Sequence, residues 1–254
     1  MQAPQDLIVI CGVRFMGESA KILSPHKKVL IPAIDAGCPM ADMVSVEDVL
    51  RLKALHPDAA VMCYVNSSAA VKAVSDICCT SSSALRVARS IDKDEIIFVP
   101  DIHLAEYVAE KVPEKKFILH NGFCPTHHRV TENDILAAKK AHPEAAVAVH
   151  PECRKEVIRH ADFVGSTAEI IDFARKTDAP EIIIGTEMEI AARLQRELPH
   201  KKIYSVTSAF VCPNMKKVTL EALLSCLENE EFEITLDEAE AAAAREALDR
   251  MVRC

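Results

Sequence analysis

The chain has 254 residues, half of them hydrophobic and 27% charged, with a net charge of −8. That is enough apolar material for a sizeable soluble core. The acidic balance, with no basic stripe, argues against nucleic acid as a partner. No apolar run approaches the roughly 18 residues that a membrane span needs, and the start, MQAPQDLIVICGV, lacks the basic flank of a signal peptide. The chain therefore reads as cytoplasmic, with no membrane partner. Its ten cysteines then read as thiols or metal ligands rather than a disulfide framework. None forms a CxxC, so any metal ligands come from distant parts of the chain.

In chain order, short apolar runs alternate with helical patterns: LIVICGV, KVLIPA, the amphipathic SVEDVLRLKALH, AAVMCYV, EIIFVP, KKFILH, the amphipathic ENDILAAKKAH, AAVAVH and EIIIGT. Strands separated by helices of this length predict repeated βαβ units with parallel sheets. Near the end, one helix is expected from about Lys217 to Leu227. An acidic helix follows from about Leu236 to Val252, with no functional signal beyond covering the core.

The alternation is an internal repeat. Cys-Pro occurs at Cys38, Cys124 and Cys212, at spacings of 86 and 88 residues. A shift of 86 lays CPMADMVSVEDVLRLKALHPDAAVMCYVNSS over CPTHHRVTENDILAAKKAHPEAAVAVHPECR without a gap, and a shift of 174 lays the first strand–helix–strand over the third. The unit has a first half (strand, helix, Pro-x-Lys-Lys, strand, loop to Cys-Pro) and a second half (helix, His-Pro-x-Ala-Ala, strand, polar motif, helix). Three first halves are present but only two second halves.

Three equivalent loops at the carboxyl ends of strands would converge on one axis, where open α/β sheets bind ligands. Three thiolates there suit a soft metal or an iron–sulfur cluster, and three ligands rather than four leave a coordination position open. The alternative for each Cys-Pro is a helix-entry turn with a small buried cysteine. The remaining seven cysteines lack this symmetry and read mostly as core. Cys153, after His-Pro-Glu, is a fourth-ligand candidate whose repeat partner is Ser67. Tyr64-Val65-Asn66 aligns with His150-Pro151-Glu152, and strand alternation would put both members of each pair on one side. CTSSSA and VGSTAE precede helices, so Ser81, Ser166 and Thr167 are either plain caps or anion binders.

At these positions the chain resembles quinolinate synthase, an enzyme of prokaryotic NAD biosynthesis from aspartate. The resemblance runs from Leu7 to about Leu227 through CGVRFMGESAKILSP, CPMAD, YVNSSAAVKA, CTSSSA, PDIHLAEYVAEK, NGFCP, HPEC, ADFVGST, IGTEMEI and CPNMKKVTL. It implies three pseudo-symmetric α/β domains around a [4Fe-4S] cluster on Cys38, Cys124 and Cys212, whose open iron acts as a Lewis acid. It implies condensation of iminoaspartate with dihydroxyacetone phosphate to quinolinate, phosphate and water, and functional coupling to L-aspartate oxidase. Tyr64, Asn66, Ser81, His150, Glu152, Ser166 and Thr167 would bind the substrates. Tyr64, His150 and Glu152 would be catalytic, with Glu152 the candidate general base because it is the one acid in the set.

The expected organisation is the remainder of a first α/β domain (1–35), two α/β repeats (36–120 and 121–210) and a helical segment (211–254). Family members begin with roughly half a domain more, carrying a His-Tyr-Tyr-type strand end and a Gly-Asp-Ser helix start. The resemblance thus implies a fragment, or a product of an internal start, with complete cluster ligands and an active site one wall short. Such a sheet would also expose an unpaired edge. Two other readings use the same thiols: a diphthamide-type iron–sulfur enzyme, against which the Tyr-x-Asn, His-x-Glu and Gly-Ser-Thr motifs speak, and a non-catalytic iron–sulfur or redox-sensing module of the same fold.

Overall fold

A computed structural model describes residues 4–254. In chain order they form β1 (Leu7–Val9), α1 (Arg14–Leu23), β2 (Lys28–Leu30), α2 (Val46–Leu55), β3 (Ala60–Tyr64), α3 (Ala69–Ala73), β4 (Ile77–Cys79), α4 (Ala84–Ser90) and β5 (Glu95–Val99). Then come α5 (Ile102–Lys111), β6 (Lys116–Leu119), α6 (Pro125–His128), α7 (Glu132–Ala141), β7 (Ala146–Val149), α8 (Lys155–Ile158), β8 (Phe163–Val164) and α9 (Thr167–Lys176). The chain finishes with β9 (Glu181–Gly185), α10 (Met188–Glu197), β10 (Lys202–Ser205), α11 (Leu220–Asn229) and α12 (Glu238–Arg253). Single 3₁₀ turns sit at Ala41–Met43 and Met215–Lys217. No helix among the described residues is long and apolar enough to cross a membrane.

The fold is α/β, and every pairing between named strands is parallel. Two compact units divide it. One contains residues up to Pro100 with Val112–Gly122 and Pro213–Cys254; the other contains Asp101–Lys111 with Phe123–Cys212. The first unit holds the pair β1-β2 and a sheet of order β4-β3-β5-β6; the second holds a sheet of order β8-β7-β9-β10. The two four-stranded sheets thus have the same order built from corresponding segments.

Repeated sequence makes repeated local chemistry. Ser45 begins α2 with a reciprocal capping box to Asp48, Thr131 begins α7 with the same box to Asp134, and the Thr219 hydroxyl accepts from Ala222 N–H at α11. His56 and His142 end α2 and α7, their N–H groups donating to Leu52 and Ala138, and the following prolines prevent continuation. Asp76 Oδ2 accepts Val61 N–H at 2.7 Å and Asp162 Oδ2 accepts Val147 N–H at 2.8 Å, tying each short outer strand to its neighbour. In Pro-x-Lys-Lys the first lysine reaches the carbonyls at the end of a preceding helix: Lys115 bonds Ile91 O and Lys93 O, and Lys201 bonds Ala174 O and Thr177 O. The second lysine pairs with the acid that starts the adjacent strand, Lys116 with Glu95 and Lys202 with Glu181, each at 2.7 Å.

Strands β3 and β5 are almost wholly buried, as parallel strands covered on both faces must be. α12 covers one end of the first unit, where Ala244, Ala247 and Leu248 join Ile22, Val71, Cys63 and Cys78 in one core. The segment just before α12 adds to β2 in the opposite sense: Ile31 N–H donates to Phe232 O and Ile234 N–H to Val29 O. The sequence pattern announces neither this pairing nor the outer strands β4 and β8. The outer strands are only three and two residues long, too short for periodicity to register. β1 pairs with β2 and with no other strand among the described residues.

Candidate functional site

The second unit gathers the richest chemistry. Its Cys-Pro loop enters α6 with Cys124 at the N-cap position and Pro125 at the first helical position, and the Cys124 carbonyl accepts from His127 and His128 N–H. Asp101, fully buried, holds that loop in place. Its Oδ2 accepts Cys124 N–H at 3.1 Å while Oδ1 accepts Leu104 N–H at 2.7 Å, so one carboxylate caps α5 and anchors the cysteine.

The other half of the site follows β7. His150 N–H donates to Gly185 O at 3.0 Å, carrying the ladder one residue past the strand. Gly185 permits this approach, since a Cβ there would stand 2.5 Å from Val149 Cγ1. Cys153 N–H then closes a turn onto His150 O, so Glu152 lies in a turn. The strand alternation expected for His150 and Glu152 is therefore not what orients them. The same holds for Asn66, because β3 ends at Tyr64 and the chain bends through Val65–Ser67.

His127 joins the two halves. Its Nδ1 lies 2.9 Å from Glu152 Oε2 and 3.2 Å from Cys124 Sγ, while Nε2 meets Thr186 Oγ1 at 3.0 Å. A carboxylate only accepts, so Nδ1 carries the hydrogen. The His127 and His150 ring centroids are 5.0 Å apart, and Phe210 flanks His127. Glu152, His150 and His127 are 3%, 4% and 7% exposed.

Burial governs the electrostatics. It holds the His150 imidazole down at about 4, against a smaller opposing pull from Glu152. His150 is therefore neutral at pH 7; its Nδ1 accepts Glu152 N–H at 3.2 Å, which leaves the hydrogen on Nε2. Burial, then repulsion from Glu152, pushes Asp101 well up, and the same two causes raise the Cys124 thiol. The group can take up a proton on Glu152, present a thiol, and hold a cation.

Cys124, His150 and Glu152 are thus brought together, and with them come His127, Thr186 and Asp101, which the sequence pattern does not single out. A signal existed for two of these. Cys-Pro-Thr-His puts His127 three residues after Cys124, on the same helical face, and Asp101 is an acid ahead of an apolar helical run. Ser166 is buried and caps α9, its hydroxyl accepting Glu169 N–H and its own N–H donating to Glu169 Oε2; Thr167 is the first residue of that helix. Cys153 is fully buried in the core with its thiol toward Gly185 O, the core reading rather than an exposed ligand. Cys212 ends this unit ahead of the 3₁₀ turn at Met215–Lys217.

The first unit holds Cys38, Tyr64, Asn66 and Ser81. Tyr64, 4% exposed, closes β3, and Ser67 Oγ donates back to Tyr64 O at 2.8 Å. The fully buried Lys72 donates to Ser67 O, pinning the turn that carries Asn66. Ser81 lies in the turn before α4, beside a Thr80–Ser83 hydroxyl exchange. Cys38 precedes the 3₁₀ turn at Ala41–Met43, its carbonyl accepting Asp42 N–H. None of the ten cysteines, all of them among the described residues, forms a disulfide. Cys63, Cys78, Cys79, Cys153 and Cys226 are buried and Cys11 is exposed, while Cys38, Cys124, Cys212 and Cys254 are partly accessible.

The family described as "Quinolinate synthetase A protein" matches residues 1–253. The chain belongs to the quinolinate synthase family. It is 54% identical over 248 residues to the quinolinate synthase of Caldicellulosiruptor saccharolyticus, covering 98% of this chain and 82% of that protein. It is 51% identical to the quinolinate synthase of Alkaliphilus metalliredigens (97% of this chain, 82% of that one) and 53% identical to quinolinate synthase 2 of Methanosarcina acetivorans (97% and 79%). Quinolinate synthases are enzymes of NAD biosynthesis.

Proposed function

We propose that the chain condenses iminoaspartate with dihydroxyacetone phosphate to give quinolinate, phosphate and water, with a [4Fe-4S] cluster on Cys38, Cys124 and Cys212. The observation that carries this reading is His127 Nδ1 standing 2.9 Å from Glu152 and 3.2 Å from Cys124. It sets the one acid of the motif set, through an imidazole, against one of the three repeated thiols.

The donor set fits the cluster chemically. All three thiols are outside any disulfide and partly accessible, unlike the five that are buried, and each precedes a single helical turn in a corresponding loop. When bound, the cluster supplies an open, Lewis-acidic iron for removal of hydroxyl as water. Glu152 takes the proton from substrate carbon, and His127, donating Nδ1–H to that carboxylate, holds it in place. Neutral His150 presents Nε2–H as a donor to a substrate oxygen. Tyr64 and Asn66 bind the iminoaspartate carboxylates, and Ser81, Ser166 and Thr167, at helix starts, take the phosphate. Of the four segments divided near residues 35, 120 and 210, the last three each bring one thiol. The imine is supplied by L-aspartate oxidase, in the cytoplasm.

The test is to purify the full chain anaerobically, reconstitute it, count iron and sulfide, and assay quinolinate. About four of each are expected in the parent and in Cys153→Ala, with loss in Cys124→Ala. A folded parent that takes up no iron, or that loses its cluster in Cys153→Ala while Cys124→Ala keeps it, would overturn the reading.

A further inference from the structure

The cluster-free chain already contains a second, smaller metal-binding geometry that uses only one of the three repeated cysteines. Cys124 Sγ, His127 Nδ1 and a Glu152 carboxylate oxygen all lie within 4.8 Å of one another, with the His127 contacts at 2.9 and 3.2 Å. Around a tetrahedral zinc, bonds of about 2.0–2.3 Å place sulfur, nitrogen and oxygen ligands roughly 3.3–3.6 Å apart. The two contacts of His127 Nδ1 need only lengthen by a few tenths of an ångström to admit the ion, and the thiol and carboxylate already lie within 4.8 Å of each other.

The supporting shell is already built. Thr186 Oγ1 meets His127 Nε2 at 3.0 Å, turning Nδ1 toward the site, and Asp101 fixes the Cys124 backbone. His150 Nδ1 fixes the Glu152 backbone from the other side. All of these residues belong to one compact unit. One thiolate, one imidazole and one carboxylate with a fourth position left for water is a donor set matched to a borderline divalent cation.

The geometry points to a mononuclear Zn²⁺-class site on Cys124, His127 and Glu152, occupied in the absence of the cluster and exclusive of it. On binding, Cys124 Sγ loses its proton to solvent, His127 gives up its Nδ1 hydrogen to solvent and takes one up on Nε2, and the imidazole ligates through Nδ1 while donating Nε2–H to Thr186 Oγ1. The ion then withholds Cys124 from cluster assembly and covers Glu152. The site requires neither Cys38 nor Cys212, so it stands or falls separately from the three-cysteine reading.

Co²⁺ is the probe, titrated anaerobically into the full cluster-free chain and read by thiolate-to-cobalt absorption and by stoichiometry, with Zn²⁺ in competition. One Co²⁺ per chain is expected in the parent, in Cys38→Ala, in Cys212→Ala and in the surface-thiol control Cys11→Ser. Cys124→Ala should lose the thiolate band, and His127→Ala and the near-isosteric Glu152→Gln should each bind at least ten-fold more weakly, with circular dichroism confirming their fold. One equivalent of Zn²⁺ added before reconstitution should lower the iron loaded by the parent. Weak, non-stoichiometric binding by the parent would overturn the site. So would Cys38→Ala or Cys212→Ala losing as much affinity as Cys124→Ala, or unchanged binding in both His127→Ala and Glu152→Gln.

Discussion

The turn after β3 and the turn after β7 occupy corresponding places in sheets of identical order, yet they are held in opposite ways. In the first unit a cation is buried: Lys72, without exposed surface, donates to Ser67 O beneath Tyr64 and Asn66. Burial depresses its basicity, and Cys63, Cys78 and Glu18 oppose that. Glu18 in turn accepts Ala69 N–H at 2.9 Å and pairs with Arg14. In the second unit the position 86 residues later is Ile158, Ser67 becomes Cys153, and the buried charge moves into the turn itself as Glu152, met by His127. The scaffold tolerates a buried charge at either place provided it has partners. The first unit uses its charge to hold a neutral Tyr-x-Asn turn, and the second displays its charge as reactive chemistry.

The sharpest way to break that contrast is to neutralise each turn. Glu152→Gln should lower kcat by about a thousand-fold, within the range of general acid–base contributions, whereas Asn66→Ala should mainly raise KM, by about ten-fold for one lost hydrogen bond to a charged group. Steady-state assays of the reconstituted chain separate the two, and equal effects on kcat would abolish the distinction. Lys72→Met leaves the buried Ser67 carbonyl without its donor and should cost about 2 kcal/mol in urea unfolding. No loss would mean that the cation does not hold the turn.

A third comparison uses pH. Burial, with help from His128 and Arg154, holds His103 down at about 4. Between the ordinary value near 6.5 and about 4, the unfolded chain binds a proton that the folded chain does not, so stability is unaffected above that window and falls as pH drops through it. His103→Gln should therefore lose about 2 kcal/mol less than the parent between pH 7 and pH 5. Parallel urea curves at the two pH values would contradict this. Asp101, raised by burial, acts in the opposite sense in both proteins and cancels in the difference. The smallest effects test the symmetry itself: Asp76→Ala and Asp162→Ala each remove one carboxylate–amide bond, of 2.7 and 2.8 Å, and should cost about 1 kcal/mol apiece. Unequal costs would show that the equivalent bonds carry unequal loads.

The repeat made much of this visible beforehand. Apolar runs at regular intervals specify buried parallel strands because only covered sheets bury both faces. Ser-x-x-Asp and Thr-x-x-Asp specify helix starts because the orphan N–H groups need acceptors nearby in sequence. Local chemistry repeats wherever local sequence does, so the strand order of the second sheet was implied by that of the first. The same pattern singled out Cys38, Cys124 and Cys212, and His150 with Glu152.

What the sequence could not supply are partnerships between residues far apart in the chain. The contact of His127 with Glu152 spans 25 residues and that with Thr186 spans 59. Asp101 reaches Cys124 across 23 residues, and the antiparallel addition of residues 232–234 to β2 spans about 200. None of these leaves a period or a spacing to read, because each depends on where separate elements end in space. Sequence determined the repeated elements, their caps and the candidate thiols and acids. Tertiary structure alone decided which imidazole stands between a thiol and an acid, since hydrogen bonds and burial act over ångströms and take no account of distance along the chain.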